Sequence, residues 1–246
     1  MFPIDPTERR RIGRKLRGSK RRGASSRQSQ HRTKFNDTSS AHFSTFGSPT
    51  GSRVSASHHR KLTLVLDLDE TLIHSSPRRK AHYYFVIHVY IEDVGSFVPF
   101  YVSCRPFLAR FLRVTSRWYH IVIFTASRQK YADKIIDHID TYGAISRRLY
   151  RGSCTPVNLD VAQGFAKNLQ QIRRDVGKVI LLDNSPISFY FNRDNGILVK
   201  GWTEDPNDSA LRDLIPLLEL LSHASDVRFL LSRRTGNRSG AMRLSP

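Results

Sequence analysis

Carboxylates follow two of the most apolar segments of this sequence. The run LTLVL leads directly into Asp67 and Asp69, and the run KVILL leads into Asp183 and Asn184. Oxygen ligands crowded in this way need a cation, and they suit Mg²⁺, which carboxylates share with water and substrate phosphate. With such an ion bound, one aspartate can attack phosphorus while another moves a proton, so that hydrolysis proceeds in two steps through an aspartyl-phosphate.

Phosphoryl transfer also needs hydrogen-bond donors and positive charge around the phosphoryl oxygens. Thr125 ends a third apolar segment, 119–124, and can donate its hydroxyl group, while Lys167, Arg151 and Arg105 are candidates for the positive charge. Taken singly, each feature is ordinary, because an isolated D-x-D is most often a turn and a lone lysine most often lies on the surface. The joint pattern is what indicates a phosphate site.

Predicted strands and helices alternate along the part of the sequence that must position these residues. Segments 62–66, 119–124 and 178–182 are short apolar runs and are predicted to be buried strands. Alternating strands and helices predict an α/β fold with a parallel sheet flanked by helices. In such a sheet, ligands lie beyond the carboxyl ends of the strands, so we expect the candidate residues to gather at one edge.

The other predicted elements are a β-hairpin and five helices. The aromatic and β-branched hairpin turns at Asp-Val-Gly, the second helix is expected to be capped by Ser127, and the fourth to kink at Pro216. The predicted positions are 83–103 for the hairpin, and a start at Pro106, a start after Ser127, 166–175, 209–225 and 226–233 for the helices.

The net positive charge is distributed unevenly along the chain. The first sixty residues hold 14 Lys and Arg against 3 Asp and Glu, so +11 of the net charge of +19 lies there. They are poor in large aliphatic residues, and we predict a disordered tail at 1–59, a folded domain at 60–234 and a flexible tail at 235–246. The basic clusters of 9–22 are typical of a bipartite nuclear localisation signal read by an import receptor. Adhesion to anionic lipid is the next interpretation, and a mitochondrial presequence a less favoured one.

The cysteine count argues against a disulfide-stabilised protein, and the hydropathy argues against a membrane-spanning one. Cys104 and Cys154 do not make a disulfide framework, which fits a reducing compartment, and we expect both to be small packing residues. The longest apolar runs have five or six residues, far below the roughly 20 that a membrane span needs. We therefore expect no transmembrane helix and no signal peptide.

These motifs together resemble a known family. The D-x-D-x-T pattern is similar to the signature of the haloacid dehalogenase superfamily, and the full set resembles its FCP/SCP (NLI-interacting factor-like) phosphatases. The resemblance covers nearly all of 60–234. Segments 129–137, 208–221 and 226–233 are most similar to the Dullard type, which acts on lipin at the nuclear envelope. The motifs are DLDETL, RPFLARFL, VIFTAS, LYRGSC and LDNSP.

The resemblance implies a role for each candidate residue. Asp67 would be the phosphorylated nucleophile, and Asp69 would protonate the leaving oxygen and then activate water. Thr125 would bind the phosphoryl oxygens, Lys167 would neutralise their charge, and Arg151 would contact the substrate phosphate.

The resemblance also implies a cofactor and a substrate groove. Mg²⁺ would be held by the Asp67 side chain, the Asp69 carbonyl and Asn184, with Asp183 beside it, and the predicted hairpin would line the groove. The family usually has an aspartate where this chain has Asn168, and its gap between the arginine and the lysine is shorter.

The implied function is a Mg²⁺-dependent phosphoserine/phosphothreonine protein phosphatase, with lipin as substrate at the nuclear envelope or endoplasmic reticulum and a membrane regulatory subunit as partner. One alternative is a phosphatase of the RNA polymerase II carboxy-terminal domain. Another is a non-catalytic subunit of the mitochondrial protein translocase, which has the same domain, although this chain retains the acids that such subunits often lose. Specific nucleic-acid binding is not expected, because the basic tail lacks interleaved aromatic residues.

Overall fold

A five-stranded parallel sheet forms the centre of the protein. The computed structural model describes residues 61–159 and 162–235. The central strand is entirely buried and pairs in parallel with a neighbour on each side. The α/β prediction is therefore confirmed. In spatial order the strands are β10 (Gly196–Leu198), β9 (Val179–Asp183), β1 (Leu62–Leu66), β5 (Tyr119–Phe124) and β6 (Ile145–Leu149).

The described residues form four helices besides the sheet, and the first or last residue of each differs slightly from the prediction. Helix α1 begins two residues after Pro106, because Phe107 has a left-handed backbone with φ of 66°. Ser127 does not cap α2, since Arg128 is the N-cap and makes no side-chain capping bond. Pro216 lies inside α3. The helices are α1 (Leu108–Thr115), α2 (Gln129–Ile139), α3 (Ala210–Ser222) and α4 (Val227–Thr235).

A small antiparallel sheet is inserted between β1 and α1, as the hairpin prediction required. Burial alternates along its strands, so one face packs inward and the other is exposed. A single 3₁₀ turn, Glu92–Val94, and Gly95 with φ of 66° reverse the chain at the predicted Asp-Val-Gly. The sheet has the order β2 (Ile73–Ser76), β4 (Ser96–Cys104) and β3 (Phe85–Ile91).

The helix predicted at 166–175 is wrong. The segment begins at the end of a second hairpin, made by β7 (Thr155–Leu159) and β8 (Ala162–Ala166), and continues as an isolated 3₁₀ turn at Leu169–Gln171. The side chain of Asn168 accepts a hydrogen bond from the backbone N–H of Gln170 at 3.0 Å, which favours the short turn over a longer helix.

Several expectations concern other parts of the chain. The predicted tails at 1–59 and 235–246, including the basic clusters of 9–22, lie outside the described residues, apart from Thr235, which ends α4. Within the described part, none of the helices combines the length and apolar character that crossing a bilayer requires. Both cysteines are free thiols, Cys154 buried and Cys104 half-buried.

Candidate active site

The carboxyl ends of β1 and β9 meet around one ammonium group. The Nζ atom of Lys167 donates hydrogen bonds to Asp67 Oδ1 at 2.7 Å and to Asp183 Oδ2 at 2.6 Å. All three side chains are buried, with Lys167 only 1% exposed. The convergence expected from strand order is therefore observed, and Lys167 lies at its centre although it follows β8 and not a strand of the main sheet.

The single positive charge of Lys167 does not balance the two carboxylates of this cluster. Burial and the neighbouring charge of Asp183 raise the pKa of Asp67 to about 7, although Lys167 opposes the shift. Burial disfavours the charge of Lys167 as well, but the two carboxylates outweigh it and raise the pKa of the ammonium group. One lysine therefore does not fully compensate two buried carboxylates, and the site favours additional positive charge.

Further oxygen atoms surround the outer side of Asp67. The Thr71 hydroxyl donates to Asp67 Oδ2 at 2.9 Å and lies 3.3 Å from Asn184 Oδ1, so the carboxylate and the amide lie close together. Asp183 is held by the backbone N–H of Ser185, which donates to its Oδ1 atom at 2.8 Å. These contacts fix the positions of the acidic groups.

The chain turns sharply after Asp69, which keeps this residue beside Asp67. Glu70 has a φ of 56°, an uncommon conformation for a residue with a side chain. The strain is offset by backbone hydrogen bonds from Glu70 N to the Ile73 carbonyl at 2.7 Å and from Trp202 N to the Glu70 carbonyl at 2.8 Å.

Hydroxyl groups from the β5–α2 region hold the Asp69 carboxylate. Ser127 Oγ donates to Oδ2 at 2.7 Å and the Tyr131 hydroxyl donates to Oδ1 at 2.5 Å, while Thr125 Oγ1 is 3.5 Å from Oδ2. Burial and the nearby Asp69 and Glu70 raise the pKa of Tyr131, so its hydroxyl remains a hydrogen-bond donor. Asp69 is thus oriented by three side chains that follow a different strand.

Arg151 lies at the margin of this group. Its Nε donates to the Ala126 carbonyl at 2.6 Å, and its guanidinium carbon lies 5.2 Å from the centre of the Phe165 ring. Burial, and secondarily the charge of Arg128, lowers the pKa of Arg151. Among the described residues it has no ion-pair partner, so its charge is available to a ligand.

Arg105, the third candidate for positive charge, is used elsewhere. Its Nε and Nη2 atoms donate to the two carboxylate oxygens of Asp208 at 2.7 and 2.8 Å. The same guanidinium donates to the backbone carbonyls of Thr71 and Lys200, each at 3.1 Å. The buried guanidinium thus connects three loops, and Arg105 is not the source of positive charge among the three candidates.

Comparison with known families identifies the domain. Residues 62–228 match the NLI interacting factor-like phosphatase family. The chain belongs to this family. The resemblance predicted from the motifs is therefore confirmed.

Some relatives of this chain are named after a cellular location and others after a C-terminal domain. The chain is 39% identical to CTD nuclear envelope phosphatase 1 of Xenopus tropicalis, over 74% of this chain and 76% of the relative. It is 42% identical to a probable C-terminal domain small phosphatase of Dictyostelium discoideum, over 71% and 55%. It is 40% identical to the human carboxy-terminal domain RNA polymerase II polypeptide A small phosphatase 1, over 70% and 63%. The chain thus spans between about half and three quarters of the length of these relatives.

The donor set at the sheet edge fits a magnesium ion. In residues 61–159 and 162–235, no group of three or more His, Cys, Asp and Glu side chains is arranged as a metal site. The predicted set is of another kind, because it combines the carboxylates of Asp67 and Asp183 with the amide of Asn184 and the carbonyl of Asp69. All of these donors are hard oxygens, which Mg²⁺ prefers, and the Lys167 ammonium shows that a cation is tolerated between the two carboxylates.

Two of the residues that contact Asp69 were not found from the sequence. Ser127 was interpreted as a helix cap, whereas its hydroxyl binds Asp69. Tyr131 lies on the apolar face of α2 among buried aliphatic residues, so its position indicated only core packing. Its partner Asp69 lies 62 residues earlier, and no local pattern links the two.

Proposed function

We propose that this protein is a Mg²⁺-dependent phosphoserine/phosphothreonine protein phosphatase that works through an aspartyl-phosphate on Asp67. The observation that carries the proposal is the ion cluster at the sheet edge, where Lys167 contacts both Asp67 and Asp183 while hydroxyl groups orient Asp69. A buried carboxylate is a nucleophile only while it is ionised, and the surrounding cations stabilise that state.

The first step transfers the phosphoryl group to the protein. An oxygen of Asp67 attacks phosphorus, the bond to the leaving oxygen breaks, and Asp69 gives this oxygen a proton. Lys167 neutralises charge on the phosphoryl oxygens, Thr125 donates to one of them, and Arg151 binds the substrate phosphate from the margin.

The second step releases phosphate. Asp69, now ionised, accepts a proton from a water molecule, whose oxygen attacks phosphorus and breaks the bond to Asp67. Both carboxylates return to their initial state. Mg²⁺ bound to Asp67, Asn184 and the Asp69 carbonyl, with Asp183 adjacent, would supply positive charge that Lys167 alone does not provide.

Magnesium should therefore stabilise the folded protein as well as support turnover. EDTA is expected to remove activity, and Mg²⁺ at 100 times its dissociation constant to raise the free energy of unfolding by about 2.7 kcal/mol. Thermal melts of the full chain with and without Mg²⁺ measure this. Asn184→Ala should reduce the shift and the exposed Asn158→Ala should not, whereas equal shifts in both variants would contradict the ligand assignment.

The substrate is proposed to be a lipin-like phosphoprotein at the nuclear envelope or endoplasmic reticulum. Support comes from the relative named a nuclear envelope phosphatase, which the chain matches over most of both lengths. The polymerase tail is the second candidate, because another relative is named for RNA polymerase II. A comparison of kcat/KM for a phosphorylated lipin peptide and a phosphorylated heptad-repeat peptide distinguishes them, and a preference for the heptad repeat would overturn the first assignment.

Localisation to the nucleus or the nuclear envelope is proposed to depend on the basic segment 9–22, read by an import receptor or bound to anionic lipid. Deleting 9–22 in cells should redistribute the protein, and unchanged localisation would dismiss both roles of the segment.

A membrane regulatory subunit is a proposed partner. The family match does not separate the mitochondrial translocase alternative, which has the same domain, but the retained Asp67 and Asp69 support an enzyme.

A further inference from the structure

Tyr131 brings a buried hydroxyl group to a carboxylate of the site. Its side chain is only 4% exposed, its ring packs edge-on against Phe100 with 5.6 Å between centroids, and its hydroxyl donates to Asp69 Oδ1 at 2.5 Å. Because α2 carries the residue on its buried face, the helix fixes the position of the hydroxyl group.

A second hydroxyl group, on Ser75, donates a hydrogen bond to Tyr131. Ser75 Oγ, on β2, lies 2.6 Å from the Tyr131 hydroxyl oxygen. A phenol has a single proton, and Tyr131 uses it for the carboxylate, so Ser75 must donate to Tyr131. The result is a chain of donors that runs from Ser75 through Tyr131 to Asp69.

The two oxygens of Asp69 are consequently in different surroundings. Oδ1 accepts from Tyr131, whereas Oδ2 accepts from Ser127 and lies 3.5 Å from Thr125 Oγ1. Thr125 is the residue assigned to the phosphoryl group, so Oδ2 is the oxygen of Asp69 that faces this group.

We propose that Tyr131 is a positioning residue for Asp69, which holds Oδ1 so that Oδ2 delivers the proton to the leaving oxygen. This inference rests on the proposed phosphatase function and concerns its first step. As the P–O bond breaks, its electron pair stays with the leaving oxygen, which takes the proton from Oδ2 and leaves a negative charge on the carboxylate. The Tyr131 hydrogen bond stabilises that charge as it forms.

A purely structural role for Tyr131 would give a different result. A hydroxyl group that only satisfies packing affects every substrate equally when it is removed. A hydroxyl group that assists proton delivery affects substrates according to the basicity of their leaving group, because a good leaving group departs without a proton.

The test compares p-nitrophenyl phosphate, which has a good leaving group, with phenyl phosphate, which has a poor one and almost the same shape. Tyr131→Phe of the full chain with Mg²⁺ is expected to lower kcat/KM for phenyl phosphate by roughly 10-fold or more, since the lost hydrogen bond is to a charged group. The loss for p-nitrophenyl phosphate should be several times smaller.

Tyr119→Phe is the matched control. Tyr119 is also buried and donates its hydroxyl at 2.5 Å, but to the Leu218 carbonyl, so its removal should change both substrates equally. Ser75→Ala provides a second variant with an intact Tyr131, and it should show the same substrate dependence at smaller amplitude.

The outcomes separate the two proposals. Equal losses on both substrates in Tyr131→Phe, or no loss on either, overturn the positioning role while the wild-type turnover preserves the phosphatase assignment. If Tyr131→Phe does not fold, the substrate dependence of Ser75→Ala decides in the same way. A wild-type protein that hydrolyses neither ester would remove the proposed function itself.

Discussion

Asp67→Asn should abolish hydrolysis of p-nitrophenyl phosphate, with a loss of at least about 10⁴-fold in kcat. The amide has almost the shape of the carboxylate but cannot form the aspartyl-phosphate, and it is a weaker ligand for Mg²⁺. Steady-state assays of the full chain at saturating Mg²⁺ measure the effect. Asp213→Asn, a change at an exposed carboxylate on α3, should retain wild-type activity. Substantial turnover by Asp67→Asn would remove the mechanism.

The same variant should fold at least as well as the wild type in EDTA. Burial and Asp183 raise the pKa of Asp67 from 3.8 to about 7, so the native state holds a proton that the unfolded chain has already released. Such a group costs stability as pH rises from about 4 through 7, and the cost is fully present above 7. Urea melts at pH 8 in EDTA should show no decrease for Asp67→Asn, and a marked decrease would indicate that its charge stabilises the metal-free protein.

Lys167→Met should be damaging in two ways. The substitution leaves the Asp67 and Asp183 carboxylates buried without their cation, which typically costs about 3–5 kcal/mol when one partner of a buried pair is removed. It also removes the ammonium group assigned to the transferring phosphoryl group, for which we expect a loss of roughly 10²–10³-fold in kcat. Denaturant melts and p-nitrophenyl phosphate assays measure the two effects separately.

A double-mutant cycle shows whether this cost arises from the ion cluster. In an Asp67→Asn background, Lys167→Met should destabilise less, because only Asp183 is then left unpaired. Lys178→Met is a suitable control, since Lys178 Nζ donates to the Ala224 carbonyl at 3.2 Å and its charge acts on Asp226, which is not part of the ion cluster. Its effect should be small. Additive losses would indicate that Lys167 acts on stability independently of Asp67.

The sheet edge could be predicted from the sequence because its signals are local. An apolar run that ends in acids identifies both the strand and the polar residue at its tip, and the parallel order follows from strand and helix alternation. The convergence of Asp67 and Asp183 therefore required no knowledge of distant contacts. The hairpin likewise followed from aromatic and β-branched residues on both sides of Gly95.

Contacts between distant residues could not be predicted in this way. Arg105 was a candidate for phosphate binding, but its carboxylate partner Asp208 lies 103 residues later. Ser127 precedes a helix, and serine is a common N-cap residue. Its hydroxyl group instead donates to Asp69, which follows another strand. Such partners depend on tertiary packing, for which single-sequence patterns contain no signal.

The segment around Lys167 shows that hydrophobic periodicity alone can predict the wrong secondary structure. Its helix-like spacing competes with antiparallel pairing between β7 and β8, whose register joins Thr155 to Ala166. The helix was wrong because tertiary pairing overrides a weak local propensity. The placement of Lys167 beside two carboxylates results from this hairpin and from its backbone bond to the Ser188 carbonyl at 3.1 Å.

Chemical trapping of the intermediate tests the account most directly. Wild-type protein mixed with a phosphopeptide, quenched in acid and treated with borohydride should contain homoserine in place of Asp67, because the reagent reduces an acyl phosphate and leaves free carboxylates intact. Tandem mass spectrometry of the peptide that spans 62–78 should locate the change at Asp67 and not at Asp69. Rapid turnover with no reduced residue at Asp67 under any quench time would contradict the aspartyl-phosphate mechanism.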